Sequence, residues 1–452
     1  MSNAKSGMRR LVNRTCYGLF GLALSACSQG PKLASDGSPG GLESNERSVK
    51  PERASTEKEW TLAVYLASET LSDIHAIEDI NALERRYAEW APFMDIVVLA
   101  DGGFESAELN WPERTRILRI RADDTDQVVS EITPPPDSEI ARLLAQNNDE
   151  LYLSSPEVLK AFMDYVQDHY PSKYLAVNIH DHGGAWEGAV LDYVDGDIST
   201  TTGPMPPSQF RDVFSTLSRP IDILGFDACL MQELSVNTFM HATEKVKYVV
   251  ASEQVQIVPG WVWDNIARRF TERHRLDGTL TPLAHATEIV SAFDDEGDFQ
   301  KNDTLSVVDL GAWPDVLRSL DQLGATLIAE GSMSNPNVRR VVDELVPRGY
   351  GSQRGNPSWF SNEDLVDVLG FCQLLEEAFA PGSDLSLAAA RLRTAVARSI
   401  VLNKTRDSIS SGLTMHLPKS GIHTEVGQAA FEKYSGSVLS LTPNWQAFLR
   451  SI

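Results

Sequence analysis

Cysteine is scarce in this chain: four residues among 452, at positions 16, 27, 229 and 372. So few thiols exclude a disulfide-built scaffold, and the length allows two or three ordinary domains with apolar cores large enough to do without one. Basic residues are also in deficit, 40 Lys and Arg against 63 Asp and Glu for a net charge of −23. That balance argues against nucleic acid as a partner and makes basic peptides the better electrostatic match. Two motifs are missing as well. There is no Gly-x-Ser-x-Gly, which argues against a serine hydrolase of the nucleophile-elbow type, and Gly102-Gly103 and Gly183-Gly184 fit neither a dinucleotide fingerprint nor a phosphate loop.

The apolar stretch from Tyr17 to Ala26 is too short to span a membrane as a stable helix, and it follows Lys5, Arg9, Arg10 and Arg14. Its end, Leu24-Ser25-Ala26-Cys27, resembles a bacterial lipobox, in which small residues expose the bond before a cysteine that takes the lipid. Residues 1–26 are therefore expected to be a lipoprotein signal peptide and Cys27 the lipidated residue, with simple secretion as the alternative. Residues 27–58 are rich in Ser, Gly, Pro and Glu with almost no large apolar side chain, the composition of a disordered tether. Roughly 30 such residues span on the order of 30 Å, enough to hold a domain clear of a membrane. The expected location is outside the bacterial cytoplasm, anchored to the cell envelope or surface. With Cys16 removed and Cys27 acylated, Cys229 and Cys372 are the thiols left to react.

From Trp60 onward short apolar runs alternate with amphipathic stretches. Thr61–Ala67, Met94–Ala100 and Thr115–Ile120 read as strands, and Ser72 can cap a helix with Ile77, Ile80, Leu83 and Tyr87 on its inner side. Ser155-Pro156-Glu157 starts another helix, which Tyr170-Pro171 ends. Two apolar runs then stop abruptly at polar residues: Tyr174–Ile179 at His180-Asp181-His182-Gly183-Gly184, and Ile221–Phe226 at Asp227-Ala228-Cys229. Such runs separated by helical segments predict an α/β domain over residues 59–275, a mostly parallel sheet flanked by helices, with chemistry at the carboxyl ends of the strands. Residues 276–452 mix helical segments (Pro314–Ile328, Glu363–Ala378, Leu385–Arg398) with a strand at Ser411–Leu417, and read as an additional C-terminal α/β or mostly helical region packed on the first.

A thiol attacks a carbonyl as thiolate, so a catalytic cysteine needs a base and a local positive potential. Cys229 ends a buried strand just before a helix predicted to begin near Met231, whose N-terminus would favour the thiolate. His182 ends the other polar-tipped strand and precedes two glycines that let a backbone approach closely. Two parallel strands tipped in this way place a base and a nucleophile on one rim. His180 and His182 have a metal-ligand spacing, but no third ligand lies nearby, so His180 reads as a strand-end or pocket-wall residue. Asp192, Asp195, Gly196 and Asp197 form an acidic loop of the kind that suits calcium, though not with EF-hand spacing; a solvated loop is the alternative.

The strings HDHGGAW (His180–Trp186) and FDACLM (Phe226–Met231) resemble the two active-site motifs of the clostripain family of cysteine endopeptidases, relatives of caspases, legumain and gingipains. WTLAVYLASE (Trp60–Glu69), IEDINALE (Ile77–Glu84), ASEQVQIVPGWVWD (Ala251–Asp264) and GLTMHLP (Gly412–Pro418) extend the resemblance over most of the chain from Trp60. It implies a caspase-like fold and endopeptidase activity, with His182 as general base and acid, Cys229 as the nucleophile, and the backbone amides of Gly183 and Cys229 as the oxyanion hole. It also implies cleavage after Arg, sometimes Lys, which requires a carboxylate in the primary specificity pocket. Asp227 matches the motif's aspartate, with Glu253 and Asp264 as weaker pocket candidates. The chemistry needs no cofactor, although some family members depend on calcium. Ala185 stands where the family often has another glycine. Several members are cleaved after a basic residue between the two motifs, yet Gly183–Phe210 holds no Lys or Arg, so self-cleavage there is not expected; Arg211 and Arg219 are what remains. The alternatives to an arginyl endopeptidase are a peptidase or transpeptidase of the same fold with non-basic specificity, and a catalytically silent surface-binding lipoprotein.

Overall fold

The computed structural model describes residues 57–68, 73–103, 105–192, 203–256, 260–293, 304–345, 365–406, 410–417 and 441–452. Lys58–Ser68 (β1), Met94–Gly102 (β2), Ser172–His180 (β5) and Ile221–Asp227 (β6) are the apolar runs of the sequence, slightly extended, with Thr115–Arg119 (β3) and Glu131–Ile132 (β4) beyond β2 and Val246–Ala251 (β7) beyond β6. The strands form a nine-stranded sheet in the order β10-β8-β7-β6-β5-β1-β2-β3-β4, where β8 is Thr304–Asp309 and β10 is Ile400–Thr405. Its centre, β2-β1-β5-β6-β7, is parallel, and the outer pairs are antiparallel. The predicted fold class, a mostly parallel sheet between helices, is thus what the chain forms.

Because successive side chains on a strand point to opposite faces, β1 feeds two cores. Ala63, Tyr65 and Ala67 pack with the helices Pro156–His169, Pro207–Ser215, Leu234–Ala242 and Trp313–Ala329. Trp60, Leu62, Val64 and Leu66 pack with Asp73–Arg85, Trp263–Asp277 and Pro282–Ala292. The helix expected after Ser155 runs from Pro156 to His169, with the Ser155 hydroxyl accepting the Glu157 N–H and proline in the first turn. Ser72, the cap expected for the first helix, lies outside the described residues. Tyr87, expected on that helix's inner side, instead opens a separate turn, Tyr87–Trp90.

Beyond residue 275 the chain returns to the same sheet, since β8 and β10 extend its β7 edge. A small second sheet pairs Leu365–Asp367 (β9) with Thr414–His416 (β11), antiparallel. The helix expected over Glu363–Ala378 accordingly begins only at Val368, because Asp367 caps it, accepting the Gly370 N–H at 2.5 Å. Among the described residues no helix is long and apolar enough to cross a membrane.

Candidate active site

Strands β5 and β6 pair in parallel with Asn178 opposite Gly225 and His180 opposite Asp227. The strands end at His180 and Asp227, so His182 and Cys229 each lie two positions past the sheet edge, in the loops that follow. Glycine is needed at 225, where a Cβ would lie 2.6 Å from the Trp261 ring and 2.8 Å from Asn178 Oδ1. At the rim, a Cβ on Gly183 would lie 2.2 Å from the Cys229 carbonyl oxygen, so only glycine lets the histidine loop lie against the cysteine loop.

Both loops are tightly bent. Ala185, Val190 and Leu230 have φ of 58°, 67° and 64°, in the left-handed region that favours glycine. For Val190, branched at Cβ, this is a strained conformation. One backbone and one side-chain bond hold the histidine loop: His182 C=O accepts from Val190 N–H at 3.1 Å, and Asp181 Oδ2 accepts from Leu191 N–H at 2.5 Å. The glycine-to-alanine departure at 185 therefore falls at a position where it carries backbone strain.

Asp227, 3% exposed, is held on three sides. Its Oδ2 lies 3.0 Å from His180 Nδ1, its Oδ1 accepts from Gln256 Nε2 at 2.5 Å, and the Trp261 N–H reaches both oxygens at 3.1 and 3.2 Å. Gly260, at φ 82°, permits that approach, since a Cβ there would lie 2.7 Å from Oδ1. Gln256 also holds the thiol. Its N–H donates to Cys229 Sγ at 3.3 Å, and its carbonyl accepts from Sγ at 3.5 Å.

Burial raises the Cys229 pKa to about 11; the Gln256 amide opposes the shift, and the charges of Asp227 and Asp181 add to it. His182 is shifted the other way, lowered by burial and by His180. Near neutral pH the resting pair is therefore a thiol and a neutral imidazole, not an ion pair. The helix N-terminus expected to stabilise a thiolate does not reach Cys229. That helix starts at Leu234, and Glu233 caps it, accepting the Ser235 and Val236 N–H groups at 2.7 and 3.2 Å. The N-terminal amides that would attract a thiolate are thus occupied by a side-chain carboxylate.

The post-cysteine segment and the C-terminal region together hold the cysteine loop in place. Leu230 N–H donates to Gln254 C=O and Gln232 N–H to Ser252 C=O, while Gln232 C=O accepts from Thr414 N–H, all at 2.9 to 3.0 Å. Glu233 Oε1 accepts from His416 N–H at 3.3 Å, and the Trp186 ring packs 5.3 Å from that of His416. β11 therefore braces both loops.

With this geometry in view, a profile of the clostripain family matches residues 64–439. The chain belongs to the clostripain family of peptidases. It is 23% identical over 227 residues to clostripain of Hathewaya histolytica, an alignment covering 46% of this chain and 41% of that protein. The chain thus spans less than half the length of that curated relative. Two solved structures share the fold. One is an inactive zymogen C11 protease from Parabacteroides distasonis, with 14% identity, a TM-score of 0.59, and coverage of 85% of this chain and 99% of that one. The other is a secreted C11 cysteine protease from Bacteroides thetaiotaomicron in complex with an irreversible peptide inhibitor, with 14% identity, a TM-score of 0.56, and coverage of 86% and 99%.

The other family-motif and acidic candidates fall in different surroundings. Glu253 is buried and accepts the Gly412 N–H at 2.9 Å, tying the post-cysteine segment to the C-terminal region. Asp264 begins the helix Trp263–Asp277 and pairs with Arg86 at 2.5 Å, so its charge is already matched. Asp192 is buried and accepts the Leu153 N–H; Asp195 and Asp197, like Cys27, lie outside the described residues. Among the described residues no group of three His, Cys, Asp or Glu is arranged to hold a metal.

Sequence reasoning missed Gln256, Trp261 and Asp79. The Asp79 carboxylate accepts the Trp263 N–H, and its pKa is pushed well above the usual carboxylate range by burial and then by the charge of Asp227. Within IEDINALE nothing distinguishes Asp79 from a solvated helix position, and only the fold brings it within reach of the Asp227 charge.

Proposed function

We propose that the protein is a cysteine endopeptidase that cleaves after Arg, and also Lys, and that it is exported and anchored through a lipid on Cys27. The observation that carries the peptidase reading is the contact of Gly183 with the Cys229 carbonyl, which joins the two motif loops at one rim. In this reading His182 takes the Cys229 proton as Sγ attacks the scissile carbonyl carbon, and the oxyanion is held by the backbone amides of Gly183 and Cys229. His182 then protonates the departing amine, leaving a thioester. Water, deprotonated by His182, attacks that thioester, releases the acid and restores the thiol. Thiol, imidazole and water balance both half-reactions, so no step calls for a metal or another cofactor.

The basic preference rests on Asp227, with Asp79 close enough to feel its charge. A guanidinium would bring a full positive charge and planar paired donors to the buried Asp227 carboxylate. The test compares hydrolysis of arginyl, lysyl and alanyl aminomethylcoumarin peptides. The reading predicts turnover of the first two and its loss in Cys229→Ala. Turnover that ignores the basic residue would favour the same-fold enzyme of other specificity, and no turnover with no labelling of Cys229 would favour the silent binding protein. Vesicle association that is lost on Cys27→Ser tests the anchor.

A further inference from the structure

Resting on the reading of Asp227 as the basic-residue pocket, we propose that Gln256 is a built-in occupant of that pocket. Its side-chain amide sits on the carboxylate that a substrate's Arg would engage, its backbone holds the nucleophile, and a basic side chain must displace it to free the thiol.

The case begins with the double attachment. Gln256 Nε2 donates to Asp227 Oδ1 at 2.5 Å, while its N–H and C=O both contact Cys229 Sγ. A single residue therefore links the specificity carboxylate to the reacting atom, and moving its side chain loosens its backbone. The attachment is also incomplete. Gln256 Oε1 is buried with no hydrogen-bond partner among the described residues, as are Trp261 Nε1 and both amide atoms of Asn178, one rung below His180 and Asp227. Unpartnered buried polar atoms cost free energy, so the closed arrangement is poised to exchange.

A neutral amide offers Asp227 one hydrogen bond here. A guanidinium offers a full charge and up to five N–H donors, and so competes for the same oxygen. Among the described residues no Lys or Arg pairs with Asp227, whose Oδ2 lies 3.0 Å from His180 Nδ1. A substrate without a basic side chain has nothing with which to draw Asp227 away from Gln256. Specificity and release of the nucleophile are then the same event.

Gln256→Ala and Gln256→Arg test this in opposite directions, with two readouts: KM for an arginyl peptide and the rate of Cys229 alkylation by iodoacetamide, followed by intact mass. Loss of one hydrogen bond to a charged acceptor predicts about ten-fold lower KM and about ten-fold faster alkylation in Gln256→Ala. Gln256→Arg, whose own guanidinium stays on Asp227, is expected to raise KM and slow alkylation. Equal alkylation rates in wild type and both variants would overturn the proposal, as would changes in the same direction in both. Misfolding of one variant leaves the other to decide. Absence of arginyl hydrolysis in the wild type refutes the basic-pocket reading separately, because alkylation needs no substrate. Arginyl hydrolysis with unchanged alkylation in both variants refutes the occupant alone.

Discussion

Cys229 and Cys372 are both withdrawn from water, yet they sit in opposite kinds of place. Cys372 lies within the helix Val368–Ala378, fully buried; burial, followed by the charges of Glu376 and Asp367, pushes its thiol far above the ordinary range. Cys229 lies at a strand tip, half-buried, with a backbone N–H and C=O against its sulfur and a glycine-lined loop against its carbonyl. Burial raises both pKa values, so a high resting value does not distinguish them. What differs is the surroundings: Cys372 belongs to the apolar core, whereas Cys229 lies against the polar backbone of Gln256, whose side chain holds Asp227.

The contrast breaks most sharply on substitution. Cys229→Ala is expected to lower arginyl-peptide turnover by about a thousand-fold or more, while Cys372→Ala leaves turnover unchanged and lowers thermal stability by about 1 kcal/mol. Equal losses of turnover would erase the distinction. Asp227→Asn is the next largest effect. The ratio of kcat/KM for arginyl over alanyl peptides should fall about a hundred-fold, on the order of 2.7 kcal/mol, as a charged contact in the pocket becomes a neutral one; a uniform loss across both substrates would make Asp227 merely structural.

The histidines repeat the contrast. His182 stands at the rim, whereas His285 is packed between Trp60 and Phe270 at 4.2 and 4.1 Å, with neither ring nitrogen partnered among the described residues. Burial lowers the His285 pKa to about 3. Below pH 6.5 the unfolded chain binds a proton there that the folded chain refuses, so stability falls as pH drops from 6.5 toward 3. His285→Phe removes this liability and should stabilise the protein at pH 5 relative to pH 8 by about 2 kcal/mol, measured by urea unfolding. No pH dependence in the difference would place a proton on His285 in the folded state. The smallest effect is expected at the rim: Ala185→Gly relaxes a left-handed backbone and should raise stability by about 0.5 kcal/mol with turnover intact.

Much of this was legible in the sequence, and the reasons are physical. Strands β1, β2, β5 and β6 are buried on both faces and read as continuous apolar runs, and proline after serine marks the helix at Pro156. β10 was not legible, because an edge strand half in solvent (IVLNKT) lacks both the apolar run and a clean alternation. β9 was absorbed into the helix that Asp367 starts. At the site, the motif residues could be named, but their hydrogen-bond state could not. That Asp227 is taken by Gln256 and Trp261, and that Glu233 rather than an open helix end follows Cys229, depends on where residues 29 and 34 positions apart meet, or on a helix starting three residues later than its apolar pattern implies. Asp79, about 150 positions from Asp227, shows no sequence signal at all.

The claim that joins these observations is that Cys229 alone is the nucleophile, reached through a pocket that selects a basic side chain. Intact-protein mass spectrometry after reaction with an arginyl chloromethylketone tests it most directly. The account predicts one inhibitor adduct on the wild type and on Cys372→Ala, and none on Cys229→Ala. An adduct that persists in Cys229→Ala, or one that an alanyl chloromethylketone forms equally fast, would contradict it.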